Sequence, residues 1–306
     1  MYEQIARNKR RTFVILFGFV GLVALVGVAF DVLFGGGVAG LIIIVIIATG
    51  LALFSYYNSD KVALAASHAK PADETEYRRY HNLVEGLCIA AGLPKPRLYV
   101  VDDPAPNAFA TGRNPKHAAI AVTTGLLDTM NRVELEGVLA HELSHVKNYD
   151  ILVTTIAVIA VGAIALLADI GLRFAFWGGL SDSRRDSNDS GGLGGVVALL
   201  ALALLVLAPF AGYAMQFAMS RNREYLADAS GVQLTRYPPG LISALEKLRD
   251  DHAVVHHATK ATAQMWIEQP LEAGAEDGKK DARSRFNNLF DTHPPLEDRI
   301  KRLQEM

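Results

Sequence analysis

Within Val138-Leu139-Ala140-His141-Glu142-Leu143-Ser144-His145 the spacing His-Glu-x-x-His carries both a secondary structure and a chemistry. On a helix, residues four apart share a face, so the two imidazoles can reach one metal ion. Glu142 stands beside them and can take a proton from an attacking water. The flanks suit a packed helix: Val133, Gly137, Val138 and Ala140 give it small and apolar faces that can lie against a sheet. Two histidines and an adjacent acid in this register point to metal-assisted hydrolysis of a peptide bond.

Working outward, the motif is followed at once by a long apolar run. The chain has 306 residues, of which 51% are hydrophobic and 20% charged. Its mean hydropathy is positive, at +0.20. Part of so apolar a surface is expected to face lipid. Four apolar segments reach the roughly 20 residues that cross a bilayer as a helix. They run from Phe13 to about Phe34, Val38 to about Tyr57, Ile151 to about Trp177, and Leu193 to about Met219. Asp169 and Arg173, near the end of the third, have the i, i+4 spacing of a pair or lie at the interface. Whether the third and fourth segments cross fully or form a shallow hairpin stays open. The basic start of the first resembles a signal peptide, but its apolar run is too long and a second follows almost directly.

Basic residues flank the spans mostly on one side; on the other, Arg184 and Arg185 in the Ser181–Gly192 loop are offset by Asp182, Asp186 and Asp189. Those on the first side are Arg7 to Arg11 before the first span, Lys61, Lys70, Arg78 and Arg79 after the second, and Arg221 and Arg223 after the fourth. That distribution places both termini and both polar regions in the cytoplasm. The net charge of −2, with no broad basic face, argues against nucleic acid. The one cysteine, Cys88, can form no intrachain disulfide and reads as a small core residue.

The chain therefore divides into an N-terminal hairpin of spans (1–57), a polar region with the motif helix (58–150), a second hairpin (151–219) and a second polar region (220–306). In the first polar region the pattern predicts a helix over Asp73–Ala91, closed by Gly92 and Pro94, and strands at Arg97–Val101 and Ala118–Thr123. Between them Pro106–Gly112 is an edge strand or a loop. A helix from about Arg132 carries the motif. The second polar region predicts helices near Ser220–Leu234 and Pro239–Asp250, a mobile polar loop over Glu268–Arg285, and a last helix from Pro295.

A hydrolytic zinc site needs a third protein ligand and an open position. Glu224, in Ser220-Arg221-Asn222-Arg223-Glu224-Tyr225-Leu226-Ala227-Asp228, is the candidate. Asp228, one turn on, can hold a ligand histidine by its other ring nitrogen. His145 lies just before the third span and Glu224 just after the fourth. At 1.5 Å per residue each is roughly 8–9 Å from its span, so an antiparallel hairpin brings both to one height. His252 and His256 share the i, i+4 spacing but lack an adjacent acid. His68, His81 and His117 read as surface residues.

Four stretches together carry a family resemblance: Pro106-Asn107-Ala108-Phe109-Ala110-Thr111-Gly112, the motif with Asn148 and Asp150, Ser220 through Asp228, and Asp291-Thr292-His293-Pro294-Pro295. With the two apolar hairpins, they make the chain resemble the HtpX-type membrane zinc proteases, relatives of the CAAX prenyl endopeptidases, over nearly its whole length. The resemblance implies zinc held by His141, His145 and Glu224, with Glu142 as general base and Asp228 behind a ligand. It also implies that Asn107 lies on the edge strand to which an extended substrate adds, and that His293 stabilises the oxyanion.

The expected fold is α+β: about four transmembrane helices carrying a cytoplasmic zincin-like metalloprotease domain with a small β-sheet. The expected partners are the lipid bilayer and polypeptide substrates, damaged membrane proteins in particular, and the expected place is the cytoplasmic membrane. Three other readings compete. An intramembrane protease fits poorly with Arg132, Glu134, Glu136 and Lys147 around the motif. A non-catalytic metal-binding scaffold has no use for Glu142. A transporter would carry its ionisable residues at midplane.

Overall fold

The computed structural model describes residues 2–34, 37–157, 221–251, 253, 255–256, 265–267 and 294–306. The first two apolar segments lie in helices α1 (Tyr2–Phe34) and α2 (Gly37–Ala66). The third passes out of the described residues after residue 157, and the fourth lies wholly outside them, as do Asp169 and Arg173. So do His252, the 268–285 stretch and His293. Among the described residues no helix is long and apolar enough to cross a membrane. Most side chains in the apolar part of α1 and many in α2 are not among those described. Those that are described leave Phe13, Val14 and Phe17 on α1, and Ile42, Ile43, Ile46, Leu53 and Phe54 on α2, more than half exposed.

A four-stranded sheet follows: β1 (Lys70–Pro71), β2 (Arg97–Val101), β3 (Ala108–Gly112) and β4 (Ala118–Thr123), in the order β1-β2-β4-β3. β4 is parallel to β2, with Arg97 opposite Ala119 and Val101 opposite Thr123. It is antiparallel to β3, with Ala108 opposite Val122. Pro106–Gly112 is thus an edge strand from Ala108 onward, and Asn107 sits just before it.

Every residue of β4 is buried, because the sheet is covered on both faces. By the two-residue period of a strand, Ala118, Ile120 and Val122 point one way and Ala119 and Ala121 the other. The first face meets α3 (Arg78–Ala91) and the helix carrying the motif. The second, small-residue face admits Ala63 and Leu64 at the end of α2, with Trp266. The helix predicted from Asp73 begins at Arg78 instead, after a turn in which the Asp73 carboxylate accepts from the Thr75 and Glu76 amides. Gly92 closes α3 at φ 66°, as predicted. Cys88 is buried in this layer, and burial pushes its thiol up to about 11.

After a short α4 (Thr124–Thr129) comes α5 (Arg132–Lys147), which holds the motif. Asn131 caps it by accepting from Val133 and Glu134, and Glu134 reaches back to the Asn131 amide at 2.8 Å. Such a reciprocal cap contributes about 1 kcal/mol. α5 is buried almost all round, between the sheet layer and α6 (Arg221–Thr235), α7 (Pro238–Asp250) and α8 (Leu296–Gln304). Its Gly137 face meets α7 rather than the sheet: a Cβ there would fall 2.8 Å from the Leu241 nitrogen. One core thus joins residues from both polar regions, from Ala72 to Leu303.

Candidate metal centre

α5 and α6 cross where the two histidines and the acid meet. Gly231 of α6 makes the crossing tight, since a Cβ there would lie 3.0 Å from the His141 amide nitrogen. His141 Nε2 and His145 Nε2 are 3.1 Å apart. Glu224 brings one carboxylate oxygen to 3.6 Å from the first and the other to 3.7 Å from the second. One ligand atom from each of the three residues lies within 4.8 Å of the others, a group that can hold a metal ion.

The opposite ring nitrogens are committed to carboxylates. His141 Nδ1 is 2.8 Å from Asp228 Oδ1, and His145 Nδ1 is 3.2 Å from Asp150 Oδ2. An Nδ1 that donates to a carboxylate leaves Nε2 of the neutral ring with a lone pair. Two lone pairs and a carboxylate then converge on one point, an arrangement that calls for a cation. Burial and the Arg299 charge disfavour a proton on His141, yet Asp228 and Glu224 outweigh them and raise it to about 9.

Asp150 and Asp228 are themselves held. Arg299 of α8, fully buried, donates from Nε and Nη2 to the two Asp228 oxygens at 2.9 and 2.6 Å. Although burial alone would raise Asp228, the Arg299 charge holds it down at about 2. Arg299 Nη2 also lies 3.3 Å from His141 Nδ1, but a nitrogen donating to Asp228 has no lone pair to offer it. Asp150 Oδ1 lies 3.7 Å from Arg223 Nη1 and accepts from the side-chain Nδ2 of Asn8 at 2.7 Å.

Glu142 is 2% exposed, and burial raises its carboxyl above the usual range. It lines the same cleft as the three metal-binding candidates, together with Ala110, Ile151, Thr154, Met265 and Trp266. Asn107 is also buried, with its carbonyl accepting from the Thr123 amide at 2.9 Å. Beside it on the sheet edge, the Ile267 amide donates to the Ala108 carbonyl. His256, the other residue of the competing histidine pair, is exposed, with its backbone amide on Asp103.

The sequence profile of peptidase family M48 matches residues 74–306. The chain is 43% identical over 305 residues to the protease HtpX homolog of Dictyoglomus thermophilum, covering all of this chain and 94% of that one. It is 44% identical over 306 residues to that of Caldanaerobacter subterraneus, covering 100% and 98%. With that of Lactobacillus helveticus it shares 43% over 308 residues, covering both chains in full. In fold it is similar to the crystal structure of S. mikatae Ste24p, with a TM-score of 0.51 at 17% identity, over 99% of this chain and 67% of that one.

Proposed function

The chain belongs to peptidase family M48 and is a metalloprotease of the HtpX type; from that premise we propose that it is a membrane-anchored zinc endopeptidase that cuts the cytoplasmic parts of damaged membrane proteins. The observation that carries this reading is the convergence of His141 Nε2, His145 Nε2 and the Glu224 carboxylate on one point, with buried Glu142 lining the same cleft. Two imidazoles and one carboxylate form the donor set of a catalytic zinc, which keeps one position open. Held by His141, His145 and Glu224, zinc would supply Lewis acidity toward a carbonyl oxygen and a water molecule.

The chain's own residues do the rest. Glu142 accepts the proton of the attacking water and passes it to the leaving amine, a task suited to a carboxyl whose pKa burial has raised. Asp228 and Asp150 hold the ligand rings in register. Asn107, at the head of the edge strand, binds an extended substrate peptide, and His293 stabilises the oxyanion. All four apolar segments enter the membrane. The exposed Phe, Ile and Leu side chains on α1 and α2 support this, because such a surface is stable in lipid and costly in water. The Lys/Arg flanks put the active site on the cytoplasmic side.

Glu142→Gln tests the catalytic reading. It keeps size and polarity but cannot accept the water's proton. Zinc content of the purified protein is expected to be unchanged, while cleavage of an unfolded membrane substrate falls by about 10²–10⁴-fold. Undiminished cleavage by a zinc-loaded variant removes Glu142 from the mechanism. A zinc-loaded wild type that cuts nothing supports a scaffold instead.

A further inference from the structure

We propose that Asn8, on the N-terminal helix ahead of the first apolar segment, is a positioning residue of the metal centre that acts on His145 through Asp150. The inference rests on the metal site proposed above. Asn8 sits in a run of basic residues, Arg7-Asn8-Lys9-Arg10-Arg11, and is the one neutral member. It is fully buried. Its amide nitrogen has two hydrogens, and both are used: one donates to the Asn148 carbonyl at 2.9 Å, the other to Asp150 Oδ1 at 2.7 Å. Asp150 is 3% exposed, and its second oxygen is the one 3.2 Å from His145 Nδ1. Next door, Lys9 Nζ lies 4.7 Å from the centroid of the Tyr149 ring. Residues 8 and 9 thus grip 148, 149 and 150, the turn by which the motif helix leaves the site. That turn includes Tyr149 at φ 60°, a backbone angle that side chains other than glycine rarely adopt.

The chemistry explains why an amide serves here. A carboxylate that orients a ligand imidazole must keep its negative charge and its rotation must be stopped. Arg223, at 3.7 Å from Oδ1, is too far for a good hydrogen bond. A neutral donor at 2.7 Å fixes the plane of Asp150 without forming an ion pair that competes with His145. Remove it, and Asp150 can turn toward Arg223 and let the His145 ring swing. The N-terminal helix is in this sense part of the metal centre.

Zinc affinity of the detergent-purified full chain, measured by competition with a chromophoric chelator, tests this. Asn8→Ala is expected to weaken binding by up to about 10-fold, the lower end of what removing a ligand's direct hydrogen-bond partner costs, because Asn8 stands one group further out. Cobalt(II) in place of zinc is expected to show an altered visible spectrum in Asn8→Ala. Thr12→Val, whose hydroxyl donates to the Asn8 carbonyl one turn back on its own helix, is expected to show neither change. In an Asp150→Ala background, Asn8→Ala is expected to cost nothing further, because Asn8 acts through that carboxylate. If Asn8→Ala does not fold, Asn8→Ser is used with the same outcomes. An Asn8 variant that binds zinc as tightly as a zinc-loaded wild type overturns the proposal alone. So does an equal loss with and without Asp150, which makes Asn8 a packing anchor only. A wild type that binds no zinc overturns the metal site and this proposal together.

Discussion

Arg299 offers two donors to a single carboxylate, and that carboxylate offers its charge to a metal-site histidine. The fork geometry is particular to arginine, because a lysine ammonium acts as a point charge. Arg299→Lys is therefore expected to keep the charge near Asp228, lose the bidentate grip, and weaken zinc binding by about 10–100-fold in chelator competition. Unchanged affinity shows instead that charge alone suffices. At this scale the sequence speaks clearly where chemistry is local. His141, Glu142 and His145 announce themselves by spacing within a single helix, and Glu224 with Asp228 repeats the one-turn pattern. Arg299 does not, because it lies 71 residues beyond its partner, in Leu296-Glu297-Asp298-Arg299-Ile300-Lys301-Arg302, which has the charge pattern of a solvated helix face. Asn8 is hidden for the same reason, within a basic flank that reads as a membrane signal.

Among the elements, the contact between the motif helix and the helix bearing Glu224 is set by glycine. A methyl group on Gly231 meets the backbone of Ala140 and His141 at 3.0–3.3 Å, and backbone cannot turn aside as a side chain can. Gly231→Ala is expected to push α6 outward by a few tenths of an ångström and so lower metal occupancy of the purified protein, read by elemental analysis. Full occupancy in that variant means that the contact has slack. Gly86, inside α3 with open space around it, makes the contrast: Gly86→Ala is expected to raise stability by about 0.5–1 kcal/mol, seen as a higher melting temperature. Periodicity in the sequence locates β2, β4, α5, α6 and α7 within a residue or two. It passes over β1, a two-residue strand ending in proline, and α4, a single turn and a half, since neither is long enough to show a period. It also misassigns the Gly137 face, because a small residue admits a helix as readily as a sheet.

Over the whole molecule, the two polar regions close around one core although the chain between them includes the third and fourth apolar segments. Such an arrangement needs both regions on the same side of the membrane. A reporter inserted near Asp73 and another fused after Met306 are expected in the cytoplasm. Opposite compartments for the two contradict the shared core, and a shared external location contradicts the orientation. The order in which the site's parts occur along the chain has a further result, this time in the course of synthesis. Of the three metal-ligand candidates, His141 and His145 leave the ribosome first and Glu224 much later, and Arg299 lies 158 residues after His141. A nascent chain thus carries an adjacent pair of histidines long before it carries the acid that joins them or the clamp behind it.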